Sequence, residues 1–176
     1  MREIAFTASA SEVLAMLAGQ TRQVERPLKR QPPKPNEYQF SAAPDKAIWK
    51  DDSGLWWLVP DDVEEHDPSP HTLYEYRCPY GQPGDHLWVR ETWAMNRLLD
   101  VPPSHVGHGE DGLWWKADHS SFRPLNAKPG RWRSPITMPR WASRITLKND
   151  GVYPRRKEDG RWVWVVQFEV MTGGSR

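Results

Sequence analysis

The sequence predicts a mainly β, α+β fold: a small barrel or strongly curved sheet with one helix packed on it. Three observations lead there. Short runs of alternating hydrophobicity recur along the chain, only one segment carries strong helix signals, and 17 prolines with 12 glycines break the remainder into long connections. At 176 residues and 38% hydrophobic content, the chain is long enough to bury a real core and short for two. The expected organisation is one domain over residues 1–176, with Pro-rich or polar loops near 27–46, 60–71, 97–112 and 119–131.

The most informative stretch is 77–93, R-C-P-Y-G-Q-P-G-D-H-L-W-V-R-E-T-W. Two glycines and two prolines ahead of Asp85 demand a tight turn, because Gly reaches positive φ and Pro restricts it. A strand follows over 86–93. It places Leu87, Val89 and Glu91 on one side and Trp88, Arg90 and Thr92 on the other. A carboxylate thus ends a row of core residues, where it is either paired or functional.

In chain order, 4–6 reads as a short first strand. Ser9-Ala10-Ser11-Glu12 is a capping-box pattern ahead of Val13, Leu14 and Leu17, which predicts a helix with that stripe against the sheet and a left-handed cap at Gly19. Gln20, Thr21, Arg22, Gln23 and Arg26 then gather polar groups at the helix exit, a candidate mouth. Residues 27–35, with four prolines beside Lys29, Arg30 and Lys34, should run extended and solvated. Residues 47–49 and 55–59 flank Asp-Asp-Ser-Gly as a β-hairpin, 61–70 is an acidic loop, and 72–77 alternates as another strand. The Pro- and Gly-containing stretch 98–112 reads as a long surface loop, 113–118 as a strand and 122–130 as loop. The last strands are 143–148 and 161–170, the final one with Trp162, Trp164, Val166 and Phe168 on one face.

A net charge of +1 leaves no field over the whole molecule to recruit nucleic acid, so any basic site is a local patch. Eleven tryptophans are far above ordinary usage, and that many rings place some at a groove or interface. The single cysteine, Cys78, cannot form an internal disulfide, which fits a reducing compartment. With no signal pattern and no apolar run long enough to span a bilayer, the expected location is the cytoplasm, without a membrane partner.

Segment 131–144 interleaves Arg131, Arg133, Arg140 and Arg144 with Trp132 and Trp141. Guanidinium groups fork onto phosphate and indoles stack on bases, so the mixture suits nucleic acid. Arg beside Trp is also how a protein covers an exposed ring by cation–π contact. Glu91 has three open roles: acceptor for a base's amino edge, general acid or base, or partner in a buried ion pair with a neighbouring Arg. The six histidines and Cys78 show no C-x-x-C or H-E-x-x-H spacing, and there is no nucleophile elbow, phosphate-binding Gly loop or dinucleotide fingerprint. No metal or cofactor is expected.

Four blocks carry a resemblance. They are Leu17-Ala18-Gly19-Gln20-Thr21-Arg22; the run from Cys78-Pro79-Tyr80-Gly81-Gln82-Pro83-Gly84-Asp85 through His86-Leu87-Trp88-Val89-Arg90-Glu91-Thr92-Trp93; Met138-Pro139-Arg140-Trp141-Ala142-Ser143-Arg144-Ile145; and Trp162-Val163-Trp164-Val165-Val166. Together, in order across most of the chain, they resemble the phage and prophage ASCH-domain proteins of the PUA-like superfamily. The resemblance implies a PUA-like (ASCH) β-barrel with a helix beside a cleft, in a superfamily that binds RNA or DNA and often holds a single, sometimes modified, base; the setting it implies is a bacterial host cell.

Some small ASCH proteins deacylate N4-acetylcytidine with a Lys and a Thr in a G-[RK]-K-T-x-T motif and a Glu in a later acidic segment. Aligning Gly19-Gln20-Thr21-Arg22 on the motif's end keeps Thr21 but loses the Lys, and an ungapped alignment puts Thr21 at the Lys and Val24 at the Thr. Only 148–161 separates the last two expected strands, so the acidic helical segment is missing too. The expected function is therefore a non-catalytic nucleic-acid-binding module whose cleft is lined by Gln20, Thr21, Arg22, Arg26, Glu91, Trp93, Arg133, Arg140 and Trp141. Arg22, Arg26 and Arg133 would contact phosphate, Trp93 or Trp141 would stack on a base, and Thr21 and Glu91 would meet its polar edge. The alternatives are an amidohydrolase with Thr21 as nucleophile and Glu91 as its carboxylate, and a phage-encoded factor that binds a host protein.

Overall fold

In a computed structural model of the chain, residues 1–31, 48–50, 55–58, 74–96, 112–118 and 129–171 are described. They hold strands β1 (Glu3–Thr7), β2 (Gln23–Pro27), β3 (Ile48–Lys50), β4 (Trp56–Leu58), β5 (Tyr74–Tyr76), β6 (His86–Arg90), β7 (Trp93–Met95), β8 (Leu113–Trp115), β9 (Thr146–Arg156) and β10 (Trp162–Met171), and one α-helix, α1 (Ala10–Leu17). Three 3-10 turns lie at Lys116–Asp118, Pro135–Thr137 and Arg140–Ala142. The fold is mainly β with one helix, and among the described residues no strand set closes into the expected barrel. The hydrogen-bonded orders are β1-β6-β9-β10-β2, β3-β4-β5 and β7-β8. No described helix is long and apolar enough to cross a membrane.

The chain gathers into two compact units: Met1–Arg22, Gly84–Asn149 and Phe168–Arg176 in the first, Gln23–Pro83 and Asp150–Gln167 in the second. In the first unit, the turn before β6 anchors the N-terminus. Gly84 sits at φ +89°, where a side chain would be strained, and its N–H donates to the Asn149 carbonyl at 2.8 Å. The buried Asp85 carboxylate accepts from the Arg2 backbone N–H at 2.8 Å and from its guanidinium at 2.9 and 3.2 Å. β1 is thereby held in parallel register on β6, with Ile4 opposite Leu87 and Phe6 opposite Val89. Phe6, Leu87, Val89 and Leu147 form the inward face of this part of the sheet.

The helix begins as its capping box requires. Ser9 Oγ accepts from the Glu12 N–H at 3.3 Å while Glu12 Oε2 accepts from the Ser9 N–H at 2.8 Å, and Gly19 at φ +67° ends the last turn. The buried stripe differs from expectation. Val13 and Met16 face inward, whereas Leu14 and Leu17 remain 50% and 49% exposed. A helix this short buries only the positions its neighbours cover; α1 packs on the 3-10 turn at Lys116–Asp118, and its buried residues are Val13 and Met16.

In the second unit, β3, β4 and β5 form an antiparallel meander, with Ile48 opposite Leu58 and Leu58 opposite Tyr74. This is the hairpin and third strand read from the sequence; its Asp-Asp-Ser-Gly turn lies outside the described residues, as do most of the four expected loops. β10 is buried continuously from Trp162 to Val166 rather than on one face, and the Trp164 ring meets Trp56 edge-on at 6.2 Å between centroids. Gln31 extends the pairing past β2: its amide accepts from the Trp162 N–H at 2.7 Å and donates to the Trp162 carbonyl at 3.0 Å.

Two strands depart from the sequence expectation. β2 occupies Gln23–Pro27, which the sequence marks only as polar, because antiparallel pairing to β10 satisfies its backbone. β9 runs eleven residues through Asn-Asp-Gly and Pro154. Its buried positions switch from Leu147 and Asn149 to Val152 and Pro154, so the inward register changes parity across Gly151. A Cβ at Gly151 would lie 3.0 Å from the Gln167 side chain, the close approach typical of a bulged strand.

Ser9→Ala should lower stability by about 1 kcal/mol, the usual worth of an N-cap hydroxyl. Urea denaturation checks it: the midpoint should fall with an unchanged slope.

Candidate functional site

Alternation along β6 continues one residue past its end. Leu87, Val89 and Glu91 are 0%, 1% and 2% exposed, so the carboxylate lies at the end of the core row as the sequence indicates. Its partner is Arg144. The Arg144 Nε donates to Glu91 Oε1 at 2.9 Å and Nη2 to Oε2 at 3.1 Å, a fork matched to both oxygens. The remaining terminal nitrogen donates to Asp118 Oδ2 at 2.5 Å, and the guanidinium lies 4.7 Å from the Trp115 ring centroid. Burial pushes the Glu91 carboxyl above the usual range, against the opposing pull of Arg144. The two carboxylates hold Arg144 above its ordinary value despite its burial.

The approach of Arg144 is set by its neighbours in sequence. Ser143 Oγ donates to the Val89 carbonyl at 2.7 Å, and the Val89 N–H donates to the Ile145 carbonyl at 2.9 Å. These bonds stitch 143–145 to the end of β6. In this arrangement neither oxygen of Glu91 is open to a base edge or a substrate. Of its three open roles, the geometry matches the buried ion pair, with Arg144 rather than the adjacent Arg90.

Trp93 is fully buried, with Met95, Leu113, Met138 and Ala142, and Trp115 and Trp141 pack on the same cluster. Its Nε1 donates to Thr137 Oγ1 at 3.4 Å, and Arg133 crosses its ring at 5.4 Å. A base cannot stack on a ring with no exposed face, so that expectation is corrected: Trp93 is core. Arg133 is half-buried and bound to Trp93 through a β-bridge, its N–H donating to the Trp93 carbonyl at 2.8 Å. Trp141 stays half-exposed, and Trp132 and Arg131 are exposed.

Arg140 points elsewhere. It forks onto Glu3 with 3.2 and 3.1 Å hydrogen bonds, reaches Thr146 Oγ1 at 3.4 Å, and lies 5.9 Å from the Trp88 ring centroid. That fork keeps the Glu3 carboxyl below the usual range. Gln20 and Arg22 project from the helix exit as exposed side chains and Thr21 is half-buried there; the Arg22 carbonyl accepts from the Phe168 N–H at 2.9 Å. Arg26 belongs to β2 in the second unit, where its guanidinium donates to the Glu25 carbonyl at 2.9 Å. The structure therefore joins Trp93, Arg133 and Trp141 in one cluster, with Glu91 beside it through Arg144 and Trp115, while Arg140 goes to a different face.

Trp88 and Arg90 were not among the expected site residues. Their signal was present, because the alternation that sends Glu91 inward sends them outward. Arg90 lies 5.7 Å from the Trp88 centroid and donates to Thr7 Oγ1 at 3.1 Å. No family model matches the chain, and neither a curated protein nor a solved structure does.

Glu91→Ala should cost roughly 3 kcal/mol, the low end for breaking a buried pair, since Arg144 keeps Asp118. Replacing both partners, Glu91→Leu with Arg144→Met, should cost less than the single change. Equal or larger loss in the double variant, measured by chemical denaturation, would show that the pair is not the unit of stability.

Proposed function

We propose that the protein is a non-catalytic, PUA-like nucleic-acid-binding module that receives single-stranded RNA or DNA. The observation that carries this reading is the repeated pairing of arginine with tryptophan in the first unit. Four guanidinium groups, those of Arg90, Arg133, Arg140 and Arg144, lie between 4.7 and 5.9 Å from the centroids of three indole rings. Two of these arginines, Arg133 and Arg144, serve inward structure. The others lie on a solvated face, near phosphate-binding chemistry that a balanced net charge could not supply globally.

Within this reading, Arg22 and Arg140 supply phosphate contacts, and Trp141 with the exposed Trp132 supplies stacking surface. Thr21 at the helix exit meets a base edge. The engagement of Glu91 by Arg144 favours binding over acyl hydrolysis, because a general acid or base needs an oxygen within reach of the substrate proton. The resemblance to ASCH-domain proteins points the same way for the polymer, RNA or DNA.

Fluorescence polarisation with labelled single-stranded RNA and DNA 12-mers tests the reading. Binding should be measurable at low salt, with log K falling linearly in log salt concentration. Arg22→Ala, at an exposed position, should weaken every sequence alike and reduce the slope by about 1. Absence of binding at low salt overturns the proposal, as does turnover of N4-acetylcytidine followed by absorbance.

A further inference from the structure

The geometry points to the outward face of β1, β6 and the start of β9 as the track for a nucleic-acid backbone. This inference rests on the nucleic-acid reading and places the contacts on residues outside the expected cleft. Registered neighbours across these three strands share one side of the sheet: Glu3 with His86, Ala5 with Trp88 and Thr7 with Arg90 on one flank, Thr146 with Trp88 and Lys148 with His86 on the other. The opposite side is the sealed core row of Phe6, Leu87, Val89 and Leu147. One strand thus carries a closed face and a solvated face.

The solvated face has an indole at its centre and cations around it. Trp88 lies between the small residues Ala5 and Thr146, so its half-exposed ring is not walled in by its registered neighbours. Arg90 and Arg140 converge on it from different segments at 5.7 and 5.9 Å. Cation–π contact limits the freedom of both guanidinium groups before any ligand arrives, which lowers the ordering cost of binding. Arg140 is balanced by Glu3. No carboxylate among the described residues pairs with Arg90: its guanidinium donates to the neutral Thr7 Oγ1, and its Nε–H is buried without a hydrogen-bond partner. Lys148 is exposed and has no carboxylate partner among the described residues. Three cations therefore stand with two carboxylates, Glu3 and the exposed Asp150 two residues beyond Lys148, and of these two only Glu3 is in an ion pair among the described residues.

Spacing decides the class of ligand. Lys148 stands opposite His86, four residues along β6 from Arg90, which is about 13 Å at strand rise. That backbone separation is about four nucleotide rises along one strand, so the two side chains leave the sheet at points spaced for phosphates several nucleotides apart. A strand of several nucleotides fits, with phosphates several nucleotides apart on Arg90 and Lys148 and Trp88 beneath an intervening sugar or base. An acidic protein surface would need anionic side chains at the same interval and gains nothing from the ring, whereas nucleobases stack on any indole.

The test uses the full chain and a labelled single-stranded 12-mer, with salt titrations of wild type, Lys148→Gln, Arg90→Gln and the double variant. Lys148→Gln alone should lower the salt slope by about 1, and the double variant by about 2 with a several-fold loss of affinity. Arg161→Gln, which removes a cation paired with Asp159, controls for net charge and should leave both unchanged. Thermal melting separates binding loss from unfolding in Arg90→Gln; Lys148 is exposed, so its variant keeps the test valid if Arg90→Gln does not fold. Unlabelled 12-mer should compete where uridine monophosphate does not. If wild type binds and the Lys148 and double variants bind equally well, or the mononucleotide competes equally, this face is not the track and the nucleic-acid reading stands. If wild type binds neither RNA nor DNA, both fall together.

Discussion

The buried pairing of Glu91 with Arg144 is the constraint that organises the first unit. A carboxylate 2% exposed at the end of a core row is costly to desolvate, and only a matched fork with further hydrogen bonds offsets that cost. The fork is available only if 143–145 lies against the end of β6. Ser143 and Ile145 make that contact through the Val89 backbone, and Asp118 occupies the guanidinium nitrogen that Glu91 leaves over. Once 143–145 is placed, the preceding 3-10 turn puts Arg140 and Trp141 on different surroundings, one toward Trp88 and the other toward the Trp93 cluster. Removing the pair would therefore disturb the route of the chain as well as a single contact.

The same chemistry, guanidinium over indole, serves two ends in this unit. Arg144 on Trp115 and Arg133 on Trp93 fasten segments to a sealed core, where ring and cation are consumed by the fold. Arg90 and Arg140 on Trp88 lie on a face that the core does not use. The two explanations for an arginine–tryptophan ribbon, covering rings or binding phosphate, are thus both compatible with one chain, divided by which side of the sheet each residue occupies. What separates them is whether the charge is already balanced among the described residues: Arg144 by two carboxylates, Arg140 by one, Arg90 by none.

Much of the fold was legible where a single local rule sufficed. Ser9 and Glu12 cap α1, Gly19 ends it, and the alternation from Leu87 to Glu91 gave the strand, its inward face and its anomalous carboxylate. Where a partner decides, the sequence was silent or misleading. β2 has one apolar residue in five and forms because β10 lies beside it. β9 passes through residues that ordinarily mark a turn, absorbing them with a change of inward register at Gly151. Leu14 and Leu17 satisfy the helical stripe as well as Met16 does, yet they stay half exposed while Met16 is buried. Trp93 looked like a stacking ring because indole has the same composition signal inside and outside a core.

The sequence alone determined the class of fold, the capped helix, the alternating strand and the presence of a charge that needed compensation, since each follows from interactions within a few residues. Tertiary structure alone decided which arginine supplies that compensation and which tryptophans keep an exposed face. The physical reason is that pairing a buried charge and burying a ring depend on groups far apart in the chain, 53 positions for Glu91 and Arg144, and periodicity carries no information about distant partners.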